Sequence, residues 1–133
     1  MIKGIGVDVT SIKEIRKFIE SDNLRTSFID QTFTADERKV AAEKPKPEEY
    51  YATRFAAKEA VFKAVAHLLP EKNFDMRIVE TLNDDDGRPY ICINDRLSPI
   101  LLKAGVDILH ISIATEGDFA TAFVIAWTDS NRV

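Results

Sequence analysis

The 133-residue chain sets 18 Lys and Arg against 22 Asp and Glu, a formal net charge of −4, and 45% of its residues are hydrophobic. This suits one domain with a single core and leaves no broad cationic surface for DNA or RNA, so any basic site must be a local patch. Cys92 is the only cysteine, which excludes an internal disulfide framework or a cysteine metal cage and points to a reduced cytoplasm. No secretory leader is expected, and no apolar run nears the roughly 18 residues a membrane helix needs, so no membrane partner is expected.

Ile2 to Thr10 alternates Ile5, Val7 and Val9 with Gly4, Gly6 and Asp8 and is expected to form a buried strand. Asp8 shares a face with two glycines, whose missing side chains let a backbone or a ligand approach. It is either a metal ligand at the strand's end or a cap for the helix that follows. Ser11 to Glu14 has capping-box spacing, and Ile12, Ile15, Phe18 and Ile19 stripe a helix over about 12–20. Its other side carries Lys13, Arg16 and Lys17, either a solvated face or a dock for an acidic partner. Asp22 to Asp30 reads as a short helix with Leu24, Phe28 and Ile29 inward. Thr34 with Asp36 and Glu37 starts another, running to about residue 43.

Pro45-Lys46-Pro47 forces an extended turn. From there to Pro70 no glycine or proline interrupts the chain, and a central helix of roughly five turns is expected. On its wheel Tyr51, Phe55, Phe62 and Ala66 fill one sector, Ala57, Val61 and Val65 the next, and Arg54 and Lys58 point between the two. Glu59 and Lys63 lie at the margin, one turn apart, beside Ala52 and Ala56, whose small side chains leave space above them. A surface helix keeps charges off its apolar stripe. The spacing therefore offers either a largely covered helix holding charged groups at a cleft, or a Glu59–Lys63 pair on a solvated edge worth about 0.3–0.5 kcal/mol.

Met76, Ile78 and Val79, then Tyr90 to Ile93, flank the turn chemistry of Asn83 to Pro89 as a hairpin. Its aspartates lack the glycine and glutamate placement of a calcium loop. Leu97 to Ala104 forms a short helix ended by Gly105. A final hairpin runs His110 to Ala114, a turn at Glu116-Gly117-Asp118, and Phe119 to Trp127. His110 opens an inward strand, where a histidine is a hydrogen-bonded structural residue or a catalyst; His67, near a helix end, caps carbonyls or touches a phosphate.

Gly4-Ile5-Gly6-Val7-Asp8, Phe33-Thr34-Ala35-Asp36-Glu37, Arg54-Phe55-Ala56-Ala57-Lys58-Glu59-Ala60 with Lys63-Ala64, and His110-Ile111-Ser112-Ile113 resemble, in order and spacing, the small holo-acyl-carrier-protein synthases. These are 4′-phosphopantetheinyl transferases. The resemblance spans nearly the whole chain and implies one α+β domain over residues 1–133, a small antiparallel sheet wrapped around a long central helix, with short N-terminal helices. It also implies a homotrimer with active sites at the subunit interfaces.

The activity it implies, within fatty acid biosynthesis, is Mg²⁺-dependent transfer of the 4′-phosphopantetheine arm of coenzyme A to a serine of an acyl carrier protein, releasing 3′,5′-ADP. By the resemblance Asp8 and Glu59 hold Mg²⁺, Lys63 contacts the phosphates, and Glu59 or water at the metal takes the serine proton. Arg54 and Lys58 anchor the nucleotide or buttress the site, Lys46 meets the ribose 3′-phosphate, and His110 joins the coenzyme A site. The acidic carrier protein meets Lys13, Arg16, Lys17 and Arg25. Relatives usually continue with a phosphate-contacting Gly-Thr-Gly turn where this chain has Val65-Ala66-His67-Leu68-Leu69-Pro70, and many have a histidine in place of Thr115. Those departures leave a second reading, a non-catalytic member acting as a binding or scaffold subunit.

Overall fold

A computed structural model describes residues 1–21 and 28–129. The first strand, β1 (Ile2–Ser11), runs into helix α1 (Ile12–Glu20). Ser11 caps that helix, its hydroxyl accepting the Glu14 N–H at 3.2 Å. The remaining capping is long-range: Asp118, in the turn of the last hairpin, accepts the Lys13 N–H at 2.8 Å and the Ser11 hydroxyl at 2.7 Å. Ile12 and Ile15 are buried while Lys13, Arg16 and Lys17 stay exposed, the segregation expected of a surface helix. Of the helix expected over Asp22 to Asp30, Leu24 and Arg25 lie outside the described residues. Residues 28–32 are helical, Ile29 is buried, and Phe28 stacks on Phe18 with centroids 4.8 Å apart.

Helix α2 (Ala35–Ala42) starts on a complete capping box, Thr34 and Glu37 each satisfying the other's backbone N–H. Helix α3 (Pro47–Val65) begins with proline in its first turn, where the absent N–H costs nothing, and is the expected long central helix. Met76–Ile78 forms a 3-10 turn rather than strand, and the expected hairpin starts later, pairing β2 (Thr81–Asn83) with β3 (Pro89–Ile91). Its turn is organised by Asp84, whose carboxylate accepts the N–H groups of Asp86 and Arg88 at 2.9 Å. Helix α4 (Ser98–Ala104) ends at Gly105, left-handed at φ 70°. Strands β4 (Ile108–Glu116) and β5 (Phe119–Trp127) close the chain, and the main sheet is antiparallel in the order β1-β5-β4.

The faces of this sheet reverse one expectation. Gly4 and Gly6, not Ile5, Val7 and Val9, turn inward against α3; Ile5 and Val9 are each 59% exposed. A Cβ added at Gly4 would overlap the carbonyl oxygen of Ala64, and one at Gly6 that of Ala60, so the close approach the glycines allow is that of a backbone. Ala52 and Ala56 are wholly buried in the two core clusters, so the space beside Glu59 and Lys63 is not supplied by these small residues. His110 is also outward, with Ser112 and Ala114, while Leu109 and Ile111 turn to the core.

The two cations inside the apolar arc of α3 are structural. Lys58 is wholly buried and donates to Glu37 Oε1 at 2.8 Å, to the Met76 carbonyl at 3.1 Å and to the Val79 carbonyl. Glu37, equally buried, accepts the Thr81 N–H on its other oxygen at 3.2 Å. Burial pushes the Lys58 ammonium below its ordinary pKa, with Glu37 opposing that shift. Removing one partner of such a pair strands the other charge, so Glu37→Ala is expected to lower the unfolding free energy by about 3–5 kcal/mol. Denaturant unfolding of the double variant Glu37→Leu, Lys58→Met is expected to recover most of the loss; an equal loss in the double variant would show that the pair is not its source.

Candidate active site

Asp8 sits on the inner face of β1 with its side chain 15% exposed, and Ser11, not Asp8, caps α1. The glycine–alanine seam brings the strand so close to α3 that Lys63 reaches across, its Nζ 3.0 Å from Asp8 Oδ1 and 3.1 Å from the Val7 carbonyl oxygen. The second Asp8 oxygen accepts the Thr10 hydroxyl at 2.9 Å. Glu59 stands one turn before Lys63 on the same edge of α3, half-buried. Its carboxyl is raised above the usual glutamate range by burial first and by the negative charge of Asp8 second, while Lys63 pulls it down. The ion pair of Lys63 is with Asp8, not with Glu59. Glu59 also lines a cavity of about 190 Å³ with Phe62, Asn73, Phe74 and Met76.

Asp8 and Glu59 stand close enough for the charge of Asp8 to raise the Glu59 carboxyl. Among the described residues no group of three or more His, Cys, Asp and Glu is arranged to hold a metal, so this is not a closed site of the zinc kind. A hard cation that completes its shell with water and phosphate oxygens fits the donor set.

Other expected site residues fall elsewhere. Lys58 has its three donors engaged in the interior and is corrected from a nucleotide contact to a support for α3. Arg54 is corrected likewise: it is buried, donates to the Thr81 carbonyl, the Thr53 hydroxyl and Asn83 Oδ1, and lies 4.4 Å over the Tyr50 ring. His110 stands on the face of the sheet opposite Asp8, so one chain does not bring the two together. Lys46 is exposed at the start of α3 and lines a cavity of about 300 Å³ with Lys44, Pro45, Glu49, Tyr50 and Thr53. Lys13, Arg16 and Lys17 present an exposed basic face, Arg16 making a 3.4 Å pair with Glu48.

His67 does not cap the carbonyls at its own helix end. Its Nε2 donates to the Lys3 carbonyl oxygen at 3.1 Å, while Lys72 takes the helix-end carbonyls of Ala66 and Leu69 at 2.6 and 2.8 Å. Sequence reasoning missed Lys72 and the roles of Asp118 and Glu37. For Glu37 a signal existed: a buried lysine needs a carboxylate, and the capping-box glutamate sits at a helix start that packs on α3.

Residues 4–127 match the model of the 4′-phosphopantetheinyl transferase superfamily. A holo-[acyl-carrier-protein] synthase of Desulforudis audaxviator is 36% identical over 126 residues, covering 95% of this chain and 93% of that protein. The crystal structure of the holo-[acyl-carrier-protein] synthase of Neisseria meningitidis superposes with a TM-score of 0.84 at 31% identity, over 96% of this chain and 100% of that one. That of Bacillus anthracis, in complex with CoA (3′,5′-ADP), superposes at 0.74 and 31% identity, over 97% and 99%. The chain belongs to the 4′-phosphopantetheinyl transferase superfamily.

The electrostatic coupling of the three residues can be read directly. In a carbon-13 NMR titration, Lys63→Ala is expected to move the Glu59 carboxyl pKa further up and Asp8→Asn to move it down, because Lys63 lowers it and Asp8 raises it. A Glu59 pKa that moves in neither variant would mean that these groups do not share a site.

Proposed function

We propose that this chain is an Mg²⁺-dependent holo-acyl-carrier-protein synthase, moving the 4′-phosphopantetheine arm of coenzyme A to a serine hydroxyl of an acyl carrier protein. The observation that carries the reading is the meeting of Asp8, Glu59 and Lys63 at one edge of α3, in a family whose members bear that activity in their names. Asp8 and Glu59 would hold the ion, and when bound it neutralises charge on the diphosphate. Lys63, half-exposed, adds a cation that swings from Asp8 to the phosphates. Glu59, or water at the ion, accepts the serine proton. The serine oxygen bonds to the phosphorus that bears the arm, and the bond from that phosphorus to the bridging oxygen breaks, its electron pair leaving with 3′,5′-ADP. Lys46, with Lys44 beside it, meets the ribose 3′-phosphate.

The carrier docks on Lys13, Arg16 and Lys17 of α1, whose positive charge draws an acidic partner; Arg25 completes that basic set in sequence. Ile5, Val7, Val9, Phe119 and Phe123 leave one sheet face apolar and exposed, and a homotrimer covers it. His110, on that same face, then serves the site of a neighbouring copy. A single unpaired cysteine, Cys92, suits the reducing cytoplasm.

Incubation with coenzyme A, Mg²⁺ and candidate apo-carrier proteins, followed by mass spectrometry, is expected to show the gain of one phosphopantetheine. Asp8→Ala and Glu59→Ala should each lower turnover by about 10²–10³-fold, and Lys63→Ala should raise KM for coenzyme A more than the Mg²⁺ requirement. Protonated Glu59 holds no cation, and its carboxyl is raised in the metal-free protein, so Mg²⁺ affinity should begin to fall at a pH above the usual glutamate range. Absence of any mass gain would return the chain to a scaffold role, as the missing Gly-Thr-Gly turn allows. For the assembly, light scattering should find a trimer that Phe123→Glu breaks to monomers; a monomeric parent chain would overturn the shared-site reading.

A further inference from the structure

The seam that joins β1 to α3 is smooth. Gly4 and Gly6 lie directly on the carbonyls of Ala64 and Ala60, and a glycine on a backbone offers no knob to lock into a hole. Such a contact limits approach but not small slides along the helix axis. The relative placement of Asp8, on the strand, and Glu59, on the helix, rests on the β1–β5 pairing and the core beneath it, and polar ties across the seam add to it.

Two such ties reach carbonyls of β1. Lys63 donates to Val7 at 3.1 Å and His67 to Lys3 at 3.1 Å. In the proposed reaction Lys63 turns to the phosphates, so its tie loosens during the cycle. The His67 tie stays. It also grips a weak point, because the register of β1 against β5 shifts between Ile2 and Gly4, at Lys3. The ring lies on Gly4, where an added Cβ would stand 2.8 Å from its Cε1. A carbonyl oxygen only accepts, so Nε2 carries the proton. Glu59, Lys63 and His67 follow one another at four-residue intervals along one edge, and the last replaces the glycine turn of relatives with a side-chain clamp.

We propose that His67 is a positioning residue: by holding the Lys3 carbonyl at the β1 register shift it fixes the strand against α3 and so sets Asp8 against Glu59 as a cation-binding pair. The proposal rests on the metal reading above. Its test is Mn²⁺ binding with coenzyme A present, read by electron paramagnetic resonance. His67→Ala is expected to weaken Mn²⁺ binding by about 5-fold, the scale of one lost hydrogen bond. His67→Gln, whose amide N–H can reach the carbonyl, should restore most of it. His67→Phe, which fills the place of the ring without a donor, should bind as weakly as His67→Ala. Nitrogen NMR of the parent protein should show the Nε2-protonated tautomer. Unchanged affinity in His67→Ala, full recovery in His67→Phe, or a proton on Nδ1 alone overturns the clamp while leaving the metal reading standing; a parent chain that binds no Mn²⁺ overturns both.

Discussion

The contact between two glycines of β1 and the backbone of α3 governs the rest of the molecule. Gly4 and Gly6 admit the carbonyls of Ala64 and Ala60 into space that any side chain would fill, and Ala56, Ala60 and Ala64 are completely buried beneath the sheet. Only at this distance can Lys63 reach Asp8. The same approach turns Gly4, Gly6, Asp8 and Thr10 inward, which puts Asp8 beside the helix and leaves Ile5, Val7 and Val9 outward. One steric condition thus builds the candidate site and exposes an apolar face on the other side of the same strand.

The orientation of α3 about its own axis is set by buried charges together with its apolar packing. Lys58 and Glu59 are adjacent in sequence and point to different environments: Lys58 is enclosed by Glu37 and two carbonyls, while Glu59 faces Asp8 and Lys63. A buried ammonium without such partners would lose its proton or unfold the helix. The pair with Glu37 and the Arg54 bonds to the β2 region therefore turn the helix so that the Glu59–Lys63 edge meets β1.

The sequence conveyed the order of elements well where local chemistry decides them. Ser11, Thr34, Pro47 and Gly105 each mark a boundary that the structure keeps, because caps and breakers act within a turn of their own position. It conveyed the faces of β1 poorly. Alternation separates two faces but does not say which is the core, and the usual preference for apolar residues inside fails where a helix must come within glycine distance. The cations of α3 were misread for a related reason. Their odd placement was visible on the wheel, but their partners, Glu37 and the carbonyls of Met76 and Val79, come from other parts of the chain. Asp8, Glu59 and Lys63 were legible through their family pattern, and the structure gives the physical cause of their meeting.

The two faces of the sheet also constrain how many chains a complete site can need. Successive side chains of a strand point to opposite sides, and along the pairings that link β1, β5 and β4, His110 is aligned with Ile125 and thence with Ile5, on the outer face. Asp8 belongs to the inner face. No rotation of side chains carries His110 through the sheet, and a one-residue slip that reversed β4 would pull Leu109 and Ile111 out of the core. If His110 takes part in the same chemistry as Asp8 and Glu59, it must do so for a neighbouring copy that lays its own site against this apolar surface. Ile5, Val7 and Phe123 would be buried by that contact, so one assembly would meet both the requirement of such a site and the covering of this sheet face.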